Sequence, residues 1–205
     1  MRKAKWIGVT ALLAALVFVG KGSADYETAA YDVVEKEGEF EIRDYPELVM
    51  ASTAMGASGG NGSFMRLFGY ISGSNQAKQK VAMTTPVLMK PSAEQDAGSM
   101  SFVVPKQVAD EGTPAPSRQD VNITKRPAGR FAVIRFSGRM NDTMREEAQQ
   151  KLRDWVEAKG LKAGESMEYA SYDPPFTPAP LRRNEVFLRL QSDEVQTERV
   201  QVSSP

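Results

Sequence analysis

Phe40-Glu41-Ile42-Arg43-Asp44-Tyr45 reads as a β-strand with one dry face: Phe40 and Ile42 alternate with Glu41 and Arg43, the period of two expected of a half-buried strand. A run of similar character, Phe131-Ala132-Val133-Ile134-Arg135-Phe136, follows about 90 residues later. Outward from the first run, an apolar stretch at 48–53 and a Gly-rich turn at 56–62 lead into an expected helix at 63–71. There Phe64, Leu67, Phe68 and Ile71 fall at i, i+3, i+4 and i+7, which makes one apolar face. Ser63 is the expected N-cap and Gly73 the stop. Strands are expected at 80–90 and 100–104.

Outward from the second run, a strand at 121–124 precedes it and a longer helix at 142–159 follows. Met144, Ala148, Leu152, Trp155 and Val156 form the apolar stripe of that helix, Thr143 and Glu146 a capping box, and Gly160 its end. Strands return at 168–172 and 185–190. The pattern is strand–strand–helix–strand–strand twice over, at roughly 31–104 and 121–190. Phe40-Glu41-Ile42 answers Phe131-Ala132-Val133, and Met83-Thr84-Thr85-Pro86-Val87 answers Tyr172-Asp173-Pro174-Pro175-Phe176. Pro105, Gly112, Pro114 and Pro116 mark 105–120 as an exposed linker. Eight antiparallel strands and two helices give an α+β fold in which each helix covers half of a curved sheet. The first helix is too short to persist alone, so the sheet must hold its apolar face.

The first 24 of the 205 residues read as a signal peptide: Arg2, Lys3 and Lys5, then a nearly unbroken apolar run at 6–20, then Gly22-Ser23-Ala24. Cleavage is expected after Ala24, into the periplasm or outside the cell. The apolar run is shorter than the roughly 20 residues of a spanning helix, so no lasting membrane anchor is expected. With Arg2, Lys3, Lys5 and Lys21 removed, the chain from Asp25 keeps 22 of its 26 basic residues against 26 acidic ones, a net charge of −4. That balance gives no footprint for nucleic acid. The residues beyond 190 are polar and read as a loose tail. There is no cysteine and no histidine. Disulfides, thiolate or imidazole metal sites, and Ser-His-Asp or Cys-His catalysis are therefore excluded.

Several segments resemble the SOUL family of haem-binding proteins. They are Phe40-Glu41-Ile42-Arg43-Asp44-Tyr45-Pro46, Gly69-Tyr70-Ile71-Ser72-Gly73-Ser74-Asn75, Ala82-Met83-Thr84-Thr85-Pro86-Val87, Tyr172-Asp173-Pro174-Pro175 and Arg182-Arg183-Asn184-Glu185-Val186. The likeness runs from about Tyr26 to Leu190. It implies a duplicated unit forming a twisted antiparallel, barrel-like sheet flanked by two helices, and non-covalent binding of haem or metal-free porphyrin. The related effector-binding domains of bacterial regulators share that architecture and bind small cationic aromatic molecules.

The resemblance places the ligand against the first helix, which makes Phe64, Leu67, Phe68 and Ile71 candidates; Leu67 and Ile71 also read as plain core. Pro86 cannot donate to a ladder. It therefore suggests an open edge where a flat guest enters, with Met83 and Val87 beside it and Tyr172 and Phe176 as the corresponding set. Arg182 is a candidate partner for propionates. Without His or Cys, iron could be met only by Met, Tyr or less often Lys, with Tyr70, Tyr172 and Met83 as the candidates, so the macrocycle is expected to be held by apolar contact. Three functions compete: a monomeric tetrapyrrole binder for haem carriage, buffering or scavenging; a module for other flat hydrophobic or cationic molecules; and a hydrolase using Glu185 and Tyr172. The last lacks any G-x-S-x-G nucleophile motif, and a binding protein rather than an enzyme is expected. Glu185 beside Arg182 and Arg183 also reads as one half of a salt bridge.

Overall fold

The computed structural model describes residues 26–56, 60–92 and 98–191. The expected leader at 1–24 lies outside the described residues, as does the tail beyond Gln191. In chain order the elements are β1 (Glu27–Thr28), β2 (Asp32–Glu37), β3 (Phe40–Tyr45), β4 (Leu48–Ala54), α1 (Gly60–Ile71), β5 (Thr84–Thr85), β6 (Val87–Lys90) and β7 (Ser99–Val103). Then come α2 (Lys106–Glu111), β8 (Asn122–Arg126), β9 (Gly129–Phe136), α3 (Asp142–Ala158), β10 (Ala163–Ser171) and β11 (Asn184–Leu190). No helix among the described residues is long and apolar enough to cross a membrane.

The main sheet is antiparallel and has nine strands, not eight, in the order β2-β3-β9-β11-β10-β6-β7-β4-β8. The strand that the sequence pattern does not announce is β2. Its Asp-Val-Val-Glu-Lys-Glu is exposed at every position but Val33, because an edge strand of this kind has no dry face to write into the sequence. β2 and β8 do not pair, so the sheet stays open and the expected barrel-like closure is corrected.

The expected strand at 80–90 divides. Thr84-Thr85 pairs in parallel with β1, Pro86 interrupts, and β6 continues inside the main sheet between β10 and β7. Pro86 is buried, so it does not mark an open edge.

With the edge strand β2 set aside, the strand order reads the same from both ends if β3 is exchanged with β8, β9 with β4, β11 with β7 and β10 with β6. α1 packs on β4 and β7, and α3 on β9 and β11, in keeping with that exchange. Phe40-Glu41-Ile42 and Phe131-Ala132-Val133 are thus not counterparts. They belong to neighbouring strands of one ladder, where Arg43 lies opposite Phe131 and Phe40 opposite Ile134.

Alternation along the strands separates two faces. On the helix-bearing face, Ile42, Ala132, Ile134, Val186 and Leu188 meet Ala148, Leu152 and Val156 of α3. Farther along that face, Ala51, Met100 and Phe102 meet Leu67, Tyr70 and Ile71 of α1. The opposite, inner face gathers Tyr45, Leu48, Leu88, Phe131, Val133 and Phe187, with Ala29 laid over them. The Ala29 amide donates to the Thr85 carbonyl at 2.9 Å, which pins the N-terminal segment there.

Two caps differ from expectation. Asn141 caps α3, its Oδ1 accepting from the Met144 amide at 2.9 Å, in place of the Thr143–Glu146 box. Ser63 lies within α1 and its hydroxyl donates to the Ala54 carbonyl at 3.1 Å, tying helix to strand. The linker at 105–120 is largely exposed but not without structure. It carries α2, and the Gln76 amide donates to the Ala115 carbonyl at 2.9 Å.

Candidate functional site

The i, i+3, i+4, i+7 stripe of α1 is rolled so that it divides between core and surface. Leu67 is 0 % exposed and Ile71 is buried; both pack in the core. Phe64 is half-buried. Its ring meets Phe102 edge-on at 5.2 Å and lies nearly parallel to Phe68 at 6.2 Å, with 12° between the planes. Phe68 is 45 % exposed and Met65 is 61 % exposed. Met83, Val87 and Met55 are partly buried around the same core. Phe64, Met65 and Phe68 therefore form an apolar shelf on the outside of α1, and large exposed apolar side chains grouped this way mark interaction sites.

Met65 lies off the core-facing stripe and so is not among the residues the sequence pattern selects. The signal for it is its place one residue from Phe64 and three from Phe68, on the adjoining side of the helix.

The rest of the expected site is elsewhere. Tyr172 belongs to the inner-face core, not to the α1 core, so the sheet separates it from the shelf. Phe176 stands 85 % exposed in the β10–β11 loop. Arg182 holds that loop: its Nε donates to the Thr177 carbonyl at 2.8 Å and its Nη2 to the Pro175 carbonyl. Two of its five N–H groups are thereby engaged within its own turn.

The iron-ligand candidates fare similarly. Tyr70 is buried and its hydroxyl donates to the Pro114 carbonyl at 2.8 Å; burial also raises the pKa of the phenol. The Tyr172 hydroxyl donates to Glu185 Oε2 at 2.8 Å. Burial first, and then the Glu185 charge, push that phenol well above its ordinary value. Both hydroxyls are thus engaged within the protein. Of the methionines, Met83 is half-buried and Met65 is presented to solvent.

Glu185, on the inner face, is 0 % exposed. Arg43 Nη1 and Nη2 donate to its two oxygens at 2.8 and 3.0 Å, and Arg183 Nε and Nη2 donate to Oε1 at 2.9 and 2.7 Å. Burial alone would raise its pKa, but the bonds and charges of the two guanidiniums outweigh burial and hold the carboxyl below the usual range. The salt-bridge reading of Glu185 is the one the geometry supports, although its main partner, Arg43, comes from a strand 142 residues away.

An open cavity of about 690 Å³ sits at the end of the α3 half, lined by Asp44, Arg130, Leu161, Lys162, Arg189 and Leu190 among others. None of the sequence-predicted site residues lines it.

The fold and these surfaces can be set beside known proteins. Residues 26–189 match the family model described as SOUL heme-binding protein. Heme-binding protein 2 of Mus musculus is 29 % identical over 180 residues, covering 83 % of this chain and 86 % of that protein. Among solved structures, EcmrR in a DNA complex superposes with a TM-score of 0.56 at 13 % identity, over 75 % of this chain and 57 % of that one. A hydrolase from Listeria innocua superposes with a TM-score of 0.53 at 11 % identity, over 77 % and 94 %. The two structural likenesses show a shared fold. The family match spans nearly the whole described chain, and the protein belongs to the SOUL haem-binding protein family.

Proposed function

We propose that this protein is an exported tetrapyrrole-binding protein that seats haem or metal-free porphyrin on the outer face of α1, for carriage, buffering or scavenging. The observation that carries the reading is the shelf of Phe64, Met65 and Phe68: two nearly parallel rings and a thioether, turned outward on a helix fixed to the sheet by its other side. A flat macrocycle can stack on Phe68 and cover Met65 without any core residue moving. Covering roughly 400 Å² of apolar surface, both partners counted, at about 25 cal/mol/Å² gives on the order of 10 kcal/mol. Association costs of about 4 kcal/mol leave about 6 kcal/mol, or a Kd of roughly tens of micromolar. No axial bond is needed for that. The basic and apolar run at 1–24 supports export, and the absence of a histidine supports contact through the ring rather than the metal.

A cationic guest and a hydrolase are the two competing readings that rest on Glu185, and its surroundings count against both. A cationic guest would meet a carboxylate already matched by two guanidiniums. A hydrolytic base would need an oxygen that Arg43, Arg183 and Tyr172 do not already occupy. Titration of the protein with haemin, protoporphyrin IX and a cationic rhodamine tests the proposal. Saturable binding of haemin and protoporphyrin within about threefold of each other, at roughly tens of micromolar, supports it. Rhodamine binding with no porphyrin binding sinks it.

A further inference from the structure

The cavity at the end of the α3 half has more cations than carboxylates in its lining. Its cationic lining residues are Arg130, Lys162 and Arg189, and its carboxylate is Asp44. Asp44 is taken, because Arg130 donates to both of its oxygens at 2.8 Å. Arg189 has no carboxylate within ion-pair distance among the described residues. Its guanidinium is fixed instead by neutral groups of the β8–β9 turn: Nη1 donates to the Ala128 carbonyl at 3.0 Å and Nη2 to the Pro127 carbonyl at 2.6 Å.

The next residue of that turn is Gly129, and a Cβ there would collide with Nη1. Two carbonyls and a missing side chain thus shape the turn to the guanidinium. Arg189 also lies 4.5 Å from the centroid of Phe131, which carries a second guanidinium, Arg126, at 3.8 Å. Arg126 is matched by Glu168, to which it donates at 2.9 and 2.6 Å; Arg189 is not. Burial and then the Arg126 charge both work against the charge on Arg189, and the more distant Glu168 charge offsets them only in part.

We propose that this cavity is a second ligand site, which takes a small organic carboxylate with an apolar body. The carboxylate pairs with the N–H groups of Arg189 that the turn leaves over, and the apolar body lies along Leu161 in the cavity wall. The volume falls within the range of small-molecule sites, about 300–1,000 Å³. The site is independent of the tetrapyrrole reading, since α1 stands over β4 and β7 on the other half of the sheet.

The test titrates isotope-labelled protein with 2-naphthoate and with its uncharged amide, 2-naphthamide, following the backbone amides of Gly129, Gly160, Leu161 and Gln191 by NMR. The expected result is saturable naphthoate shifts at these positions, at least tenfold weaker binding of the amide, and weakening by salt. Arg189→Gln loses tenfold or more of the naphthoate affinity, and Arg189→Lys recovers part of it. A smaller preference of the unaltered protein for naphthoate over naphthamide overturns the proposal, as does a folded Arg189→Gln variant with unchanged affinity. If Arg189→Gln fails to fold, the naphthoate–naphthamide ratio decides alone. The same cavity shifts in a Phe68→Ala variant separate this site from the α1 shelf, so that the failure of one reading leaves the other standing.

Discussion

Phe68→Ala is the substitution that bears hardest on the tetrapyrrole reading, because Phe68 is 45 % exposed and contributes little to the fold. A phenylalanine offers about 200 Å² of surface, so roughly 90 Å² of the ring is open to a ligand. If the macrocycle covers half of that, the lost burial is about 1 kcal/mol. Loss of ring stacking adds about 1 kcal/mol more. The sum, about 2 kcal/mol, corresponds to a roughly 30-fold weaker Kd. The assay is quenching or enhancement of protoporphyrin IX fluorescence across a protein titration, with far-UV circular dichroism and thermal melting as controls. The melting temperature should fall by no more than about 2–4 °C, because the ring is half in water and its aromatic partner, Phe64, keeps its own packing on Phe102. Met65→Ala should weaken binding in the same direction and by less. An affinity within twofold of the original in both variants refutes the reasoning, since the shelf would then not be where the macrocycle sits.

Other outcomes follow from the inner face and the caps. Glu185→Gln leaves Arg43 and Arg183 buried without their counter-ion and should cost about 3–5 kcal/mol in urea unfolding; a loss below 1 kcal/mol would mean that water reaches the cluster. Because the Glu185 carboxyl is held below its usual value of about 4.5, its contribution is complete above that pH. It is lost as the pH falls through the folded value, so the acid limb of the stability profile should be shallower in Glu185→Gln. Tyr70→Phe and Tyr172→Phe should leave the haemin absorption spectrum unchanged, since both hydroxyls are engaged within the protein; loss of a ligand-to-iron band in either would reinstate a phenolate ligand. Asn141→Ala should destabilise the chain by about 1 kcal/mol, whereas Thr143→Ala should do almost nothing, a contrast that denaturant melts can resolve.

Much of the fold is legible because burial leaves a period in the sequence. β3, β9, β11 and α3 write their dry faces as alternation or as a 3.6-residue stripe, and all four lie within a residue or two of their expected places. β2 is illegible because it buries almost nothing. Pro86 misleads because a missing donor suggests an edge, and the sequence cannot show that the chain steps from the small parallel pair into the middle of the large sheet. At the site, the α1 stripe is legible and its roll is not. The same four positions fit a helix facing the sheet through Leu67 and Ile71 or one facing it through Phe64 and Phe68, and only the packing of the helix on β4 and β7 selects the first.

Taken alone, the sequence determined the class of fold, the family segments in their order, and the exclusion of thiol and imidazole chemistry, since all of these depend on residue type and local spacing. Tertiary structure decided which side of α1 meets water, that Glu185 is locked to an arginine 142 residues distant, and that Gly129 and Arg189 meet at one cavity. Those outcomes depend on strand order. Register and neighbour choice in a nine-stranded sheet are settled by the summed packing of both faces, a sum over residues far apart in the chain that no local pattern records.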